Sequence, residues 1–317
     1  QSVTSMNLRS VMCAALIDAS DQVLGVIQLD AFNVLRGFKP DDLEVLASIA
    51  PQAAIALRYA RLHAVTLQRK TLDRDLDLAR RVQLALLPDG KPDIEGYAVP
   101  ATYEAAWQVG GDFYDFVPLP DGRWALLVAD ASGKGVSAAL LIAKLSGELR
   151  TYLSTSRNGA EALRRMCDSL DAMAEDLPCR FVTLGLLVLD PRPHEVEVVN
   201  AGHALPLLRR ADGRIEEVAA EVRGPAIGMF PGQRYQSASV RLEEGDVIVV
   251  FTDGFHEATN AAGEVYGLER LEAMLAEDAP DVEAHGKRIR EDVEAFVAGE
   301  KQSDDMCMIC LGRTPAS

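Results

Sequence analysis

Two stretches of this chain, residues 124–129 and 247–251, are apolar without a break, and each stops at an aspartate set among small or turn-forming residues: Asp130-Ala131-Ser132-Gly133 and Thr252-Asp253-Gly254. Both are of strand length. A strand that is apolar on both faces has no solvent side, so it needs a layer of structure above and another below. Around them, from Tyr97 onward, the texture is one of short β-branched or aliphatic runs separated by turns. Asp121-Gly122 and Asp212-Gly213 stand where tight hairpins are expected, the second between residues 205–208 and 215–218. Helical patterns fall at residues 136–149, 160–174 and 267–276. Helices interspersed among mostly hairpin-linked strands predict an α+β fold, a β-sandwich flanked by helices. No internal repeat or low-complexity tract interrupts it.

Upstream of residue 90 the pattern differs. Residues 11–17 and 23–29 read as two strands joined by the polar turn Asp18-Ala19-Ser20-Asp21. Pro40, Asp41 and Asp42 make a helix start, with proline in the first turn and carboxylates at the positive end of the dipole. Further on, Leu72, Leu76, Ala79, Val82 and Leu86 recur at helical spacing with charged residues on the other faces. That seam suits either an amphipathic helix lying on its own domain or a coiled coil with a second copy. Pro51 is expected to kink or interrupt the earlier part. Leu87-Pro88-Asp89-Gly90 ends the helical stretch. The expected division is therefore residues 1–60, a linker helix over 61–90, and a main domain over 91–317.

Charge narrows the class of partner. With 32 basic and 48 acidic residues the net charge is −16, which repels nucleic-acid phosphates and anionic lipid, and Arg80-Arg81 and Arg209-Arg210 are too short to reverse it. The five cysteines are few and scattered, which suits a reducing compartment, and no apolar run approaches the ~20 residues of a membrane span. A cytoplasmic protein without nucleic-acid or membrane contacts is expected.

Four aspartates then draw notice. Asp130 and Asp253 end the two apolar runs, Asp112 follows Gly110-Gly111, and Asp304 precedes the apolar residues 306–311. Any one alone is most simply a surface aspartate. Together, strand ends can bring such distant carboxylates to one place, where they repel one another unless hard cations neutralise them. Gly133-Lys134-Gly135 opens a helix, but Asp130, Ala131 and Ser132 intervene before it, against a dinucleotide fingerprint, and Gly135 stands where a phosphate loop needs Ser or Thr. Cys307 and Cys310 would point to opposite faces of a strand, and no second cysteine pair supports zinc. His203 lies in Asn200-Ala201-Gly202-His203, at a sharp turn after residues 195–199.

In order along the chain, Gly110 to Asp115, Asp130 to Gly135, Asn200 to His203, Thr252-Asp253-Gly254 with Glu257-Ala258, and Asp304-Asp305 resemble the motifs of the metal-dependent protein phosphatases of the 2C (PPM) family, in its bacterial SpoIIE/RsbU-like branch. Gly224-Pro225-Ala226-Ile227-Gly228 and Val82-Gln83 with Leu86-Leu87-Pro88 fit the same branch. The resemblance covers residues 72–314. More weakly, residues 11–62 resemble the closing part of a GAF sensory domain, through residues 25–29 and 52–56.

The family resemblance implies a PPM-type sandwich with two Mn²⁺ or Mg²⁺ ions held by Asp112, Asp130, Asp253, Asp304 and the backbone carbonyl of Ala131. Asp115, Gly133, Lys134, His203 and Asp305 are implied beside the metals or the substrate. It further implies that no side chain attacks phosphorus: a water shared by the ions does so. The substrate class would be a phosphoserine or phosphothreonine protein, in this branch a phosphorylated anti-anti-sigma (STAS-domain) regulator. A sensory domain would control the enzyme through the linker helix, which would also make a homodimer. Two residues depart from the family: Ala131 where glycine is usual, and Cys307 where threonine is common. The histidine acid and phosphate-gripping arginine of eukaryotic relatives are not evident before Asp112. The alternatives from other classes are a catalytically weak, phosphatase-shaped binding module in a partner-switching pathway, and a nucleotide-binding enzyme.

Overall fold

The computed structural model describes residues 10–32, 37–172 and 181–315, and the chain divides into two units between Asp75 and Leu76. In the first unit, β1 (Ser10–Ile17) and β2 (Val23–Ala31) form the expected antiparallel hairpin. The Asp18 carboxylate accepts the Ser20 and Gln22 backbone N–H groups, which fixes the turn, and Arg58 of α1 (Pro40–Leu84) pairs with the same carboxylate at 3.0 Å.

Helix α1 runs unbroken through Pro51, where an interruption was expected. Leu46, Ala50 and Ala54, spaced one turn apart, are all buried while Pro51 is exposed. Burial of that stripe outweighs the single backbone hydrogen bond that a proline removes. Farther along, Leu62, Val65, Leu67, Leu78 and Leu84 are exposed, and of the predicted seam Leu72 and Val82 are exposed while Leu76, Ala79 and Leu86 are half-buried. Its last turns belong to the second unit, which begins earlier than the expected boundary near residue 90. The reason is Gln83: its buried side-chain amide donates to the Gly110 carbonyl at 2.7 Å and accepts the Gly110 N–H at 3.0 Å.

The second unit contains β3 (Tyr97–Ala98), β4 (Ala101–Glu104), β5 (Asp112–Pro118), β6 (Trp124–Ala131), α2 (Val136–Thr155), α3 (Gly159–Asp171), β7 (Val182–Asp190), β8 (Glu195–Ala201), β9 (Leu207–Arg209), β10 (Ile215–Glu217), β11 (Arg223–Gly224), β12 (Ala238–Arg241), β13 (Val247–Phe251), α4 (Asp253–His256), α5 (Leu268–Ala276), α6 (Val282–Val297) and β14 (Met306–Arg313). One sheet has the order β10-β9-β13-β14-β3, with β4 also on β14; the other has the order β11-β8-β7-β6-β5, with β12 also on β8. The two tight hairpins form where Asp-Gly pairs predicted them, and Gly122 and Gly213 both take left-handed φ. The helix expected over 160–174 is α3, and residues 173–174 lie outside the described residues.

Strand alternation builds four layers. Along β6, Ala125, Leu127, Ala129 and Ala131 pack with α2 and α3, while Leu126 and Val128 pack with the opposite sheet. Along β13, Val247, Val249 and Phe251 pack with α5 and α6, while Ile248 and Val250 join Leu126 and Val128 between the sheets. The two unbroken apolar runs are therefore the two strands covered on both sides. Cys307 and Cys310 are separated as a strand requires, one between the sheets and one under α6.

Helix α6 has no counterpart among the helical patterns read from sequence. Its buried residues are Val282, His285, Gly286, Ile289 and Val293 in an otherwise charged segment, so the apolar stripe is thin; the start signal was Asp281, whose carboxylate caps the Ala284 N–H at 2.8 Å. His285 is 4% exposed, and burial, followed by the nearby Arg209 and Arg288, lowers its pKa to about 4 against the opposing pull of Asp278 and Asp281. His203 is lowered to about 4 as well, by burial first and then His256. Each imidazole is neutral in the fold but takes up a proton near pH 6.5 when unfolded. Between those values the unfolded state binds more protons, so stability falls as pH drops from about 6.5 toward 4, by about 1.4 kcal/mol per pH unit for each histidine. Because the raised carboxylates Asp112 and Asp130 take up protons in the fold over the same window and pull the other way, the histidine share is read as a difference: in urea unfolding, His285→Phe is expected to gain stability relative to the wild type on going from pH 7 to pH 5.

Candidate metal centre

Asp112 and Asp130 are directly opposite in the β5–β6 ladder, and the alternation that sends Phe113 and Ala129 to the helix side turns both aspartates toward the space between the sheets. They stand at its mouth, where the strands end. From the other sheet, β13 delivers Thr252 and then Asp253, the first residue of α4. The Thr252 hydroxyl donates to Asp112 Oδ2 at 2.6 Å and accepts the Cys307 N–H at 2.9 Å, which ties β5, β13 and β14 together at this end. Asp304 precedes β14, and its carboxylate pairs with Lys134 at 2.8 Å; Lys134 also donates to the Ser303 carbonyl at 2.9 Å.

The backbone is shaped to let these groups approach. A β-carbon at Gly111 would lie 2.9 Å from the Ala131 carbonyl oxygen and 3.3 Å from Asp130 Oδ1. One at Gly110 would overlap the Asp305 carboxylate, and one at Gly254 would overlap the Asp305 carbonyl oxygen. Ala131, which replaces the family's glycine, lies in ordinary strand pairing opposite Val182 and carries no left-handed φ, so its methyl group costs no backbone strain. Gly133 and Gly135 do take left-handed φ, and they turn the chain from β6 into α2.

The carboxylates form one electrostatic cluster. Burial, then Asp130, holds Asp112 well above the usual carboxylate range; burial, then Asp253 and Asp304, pushes Asp130 up to about 7; Asp253 is raised by burial, then Glu257 and Asp304. Among the described residues no three carboxylate, imidazole or thiolate side chains are already arranged to close on one ion. Thr252 holds one oxygen of Asp112 and Lys134 holds Asp304, so full convergence requires those side chains to turn.

The other residues singled out by sequence divide. Asp305 is held by backbone donors: its oxygens accept the N–H groups of Ala106 at 2.8 Å, Gly111 at 2.6 Å and Asp112 at 3.4 Å, so it anchors the strand that carries Asp112. Asp115, expected beside the site, is three residues from Asp112 on the opposite face of β5, where Arg150 of α2 binds both its oxygens at 2.6 and 2.7 Å. His203 is brought close. It lines a cavity of about 180 Å³ with Asp130, Thr183, Arg223, Asp253 and His256. Thr183 holds His203 Nδ1 at 2.8 Å, the Asn200 side chain braces its backbone, and Gly202 takes φ 70° where a side chain would strike the Ala226 N–H. Sequence reasoning quoted Thr252 and Gln83 within its motifs without giving them a role, and it gave none to His256 or Arg223. The Arg223 side chain is exposed and, among the described residues, has no hydrogen-bond or ion-pair partner, and its only sequence signal was a place beside Gly224-Pro225.

A two-sheet sandwich flanked by helices, with aspartates from both sheets gathered at one mouth, is the architecture of a PP2C-type phosphatase domain. Residues 120–314 match the Stage II sporulation protein E (SpoIIE) family, more than half of the chain, and the chain belongs to that family. Residues 1–57 match the GAF domain, of which the chain carries a fragment. Among curated proteins, Protein IcfG of Synechocystis sp. is 25% identical over 264 residues, 75% of this chain and 41% of IcfG. Phosphoserine phosphatase RsbP of Bacillus subtilis is 24% identical over 246 residues, 75% of this chain and 57% of RsbP. The chain thus spans about half the length of these relatives. Among solved structures, the SiaA-PP2C domain of Pseudomonas aeruginosa has a TM-score of 0.66 at 23% identity, covering 78% of this chain and 99% of that one. RsbX in complex with magnesium has a TM-score of 0.53 at 15% identity, covering 70% and 98%. Among the described residues no helix is long and apolar enough to cross a membrane.

A raised carboxylate pKa means that the ionised group destabilises the fold around it. In chelator, Asp130→Asn is expected to raise the melting temperature, by roughly 2–4 °C for each kcal/mol of repulsion relieved. With excess Mg²⁺ or Mn²⁺ the order is expected to reverse, because the wild type alone gains full stabilisation from the cation. Differential scanning calorimetry in the two buffers checks both signs.

Proposed function

We propose that this chain is a metal-dependent protein-serine/threonine phosphatase. The observation that carries the proposal is the pairing of Asp112 with Asp130 across one ladder, faced by Thr252 and Asp253 from the other sheet. The donor set fits two Mg²⁺ or Mn²⁺ ions: Asp112, Asp130, Asp253, Asp304 and the Ala131 carbonyl are all oxygen ligands, and their mutual repulsion is what a cation would relieve. Bound there, the ions would supply Lewis-acid neutralisation of phosphoryl oxygens and acidify a water for attack on phosphorus. The phosphoserine phosphatase relative RsbP and the magnesium-bound RsbX structure support this reading.

The protein's own groups would do the rest. Arg223, which lines the cavity with Asp130 and Asp253 and whose side chain is unpaired among the described residues, would bind phosphoryl oxygens, a role a planar cation fills well. It would replace the arginine that eukaryotic relatives place before the first aspartate. His203, neutral and fixed by Thr183, shapes the floor of that cavity. The substrate we infer is the phosphoserine or phosphothreonine of a STAS-domain regulator in a partner-switching pathway, consistent with RsbP-like relatives.

The exposed apolar residues of α1 support a second part of the proposal. Leu62, Val65, Leu72 and Val82 would be covered by the same helix of another copy, giving a homodimer through which the GAF-like unit regulates turnover.

Assay of a phospho-STAS substrate with Mn²⁺ is expected to give turnover that falls at least about 100-fold in Asp130→Asn. Equal turnover in the variant would overturn the assignment of Asp130 to a catalytic metal, and no turnover by the wild type would leave only a phosphatase-shaped binding module. Arg223→Ala is expected to lose about 10- to 100-fold in kcat/KM, the value of one or two charge-assisted hydrogen bonds. Removal of residues 1–65 is expected to lower the mass measured by light scattering to that of one chain and to change the turnover rate. If neither moves, the helix is only a spacer.

A further inference from the structure

At the other end of the sandwich from the aspartates lies a cavity of about 650 Å³, large enough for a metabolite-sized ligand. Its position follows from the strands: Val247 opens β13 and Arg313 closes β14 here, whereas the far ends of those strands, Phe251 and Met306, adjoin Thr252 and Asp305. Much of the wall is apolar, with Val99, Pro100, Val247 and Val282. Two buried nitrogen-bearing side chains interrupt it.

The first is Arg209, whose side chain is 5% exposed. One of its terminal nitrogens donates to the Arg210 carbonyl and the other to Asp278, and among the described residues its Nε has no partner. Asp278 is a weak counter-charge, because its side chain is 98% exposed and water screens it. A buried guanidinium is left with an unmade hydrogen bond and an incomplete charge balance, each of which disfavours burial. The second is His285 at 4% exposure, whose Nδ1 is also without a partner among the described residues. It is neutral, kept so by burial and by Arg209 beside it, and so has one N–H to donate. The remaining acids of the rim are engaged elsewhere: Asp281 caps α6 and Glu283 pairs with Lys91 at 2.6 Å.

We propose that this cavity is a binding site for a small organic anion, a carboxylate carried on an apolar body, with Arg209 and His285 receiving the carboxylate and the valines and proline receiving the rest. The choice of class follows from the lining. Arg209 and His285 both line the cavity, a guanidinium and an imidazole N–H together match the two oxygens of a carboxylate, and the first turn of a 16-residue helix adds its positive end. The apolar wall favours a hydrocarbon body over a bare inorganic ion. The site is separate from the aspartate cluster and shares none of its residues, so its occupancy does not depend on the phosphatase reading.

Benzoate serves as the probe and benzyl alcohol as its uncharged counterpart, each titrated calorimetrically into the intact chain at pH 7. The expected result is saturable binding of one benzoate, at least about tenfold tighter than the alcohol, with loss of at least about tenfold in Arg209→Gln. His285→Phe, which keeps the ring and removes the donor, is expected to weaken benzoate several-fold and leave the alcohol unchanged, and it stands as the test if Arg209→Gln does not fold. No saturable benzoate binding to the wild type, equal affinity for acid and alcohol, or equal affinity of wild type and His285→Phe for benzoate would overturn the proposal.

Discussion

Strands β6 and β13 bury both faces, and each layer of the second unit can be understood as covering one of those faces. The inner faces meet each other through Leu126, Val128, Ile248 and Val250; the outer faces take α2 with α3 on one side and α5 with α6 on the other. Period-two alternation then leaves little freedom in where the next residue points. Asp130 continues the inner row of β6 and Thr252 the inner row of β13, so two polar residues from different sheets meet where the apolar rows end. The gathering of carboxylates is thus a product of register.

That placement carries an energetic penalty. Asp112 is buried, Asp130 is held up to about 7, and Asp253 is raised, so the fold keeps acids together under conditions that disfavour their charge. Scaffold contacts oppose the tendency to splay. Asp305 accepts three backbone N–H groups around the start of β5, Thr252 bridges to Asp112, and Gln83 clamps Gly110 from the end of α1. Local strain of this kind is what a site prepared for cations is expected to show.

Much of this was legible in the sequence because strong local signals coincided: unbroken apolar runs, Asp-Gly turns and glycines before the aspartates. The less legible parts depended on tertiary context. Helix α6 was hidden because its buried stripe includes a histidine and a glycine, which read as polar or breaking until His285 is seen buried and Gly286 is seen packed near the Cys310 sulfur. Pro51 misled because propensity is a weak prior against three buried residues on one face. Asp115 and Asp305 both sit next to motif residues, yet strand alternation sends the first to Arg150 and backbone donors capture the second. Arg223 could not be singled out, since an exposed arginine gains meaning only from the cavity it borders.

Strand β14 lies between β13 and the pair β3 and β4, in the middle of its sheet, although it is made after every other described strand of that sheet. A nascent chain that lacks it would expose the edge of β13 and the apolar cores on either side, and would have neither Asp304 nor the Asp305 carboxylate that anchors β5. Ribosomal synthesis therefore delivers the closing piece last: no shorter intermediate can assemble the aspartate cluster, and until residues near 313 emerge the growing domain presents an unpaired apolar edge, the kind of surface that chaperones hold.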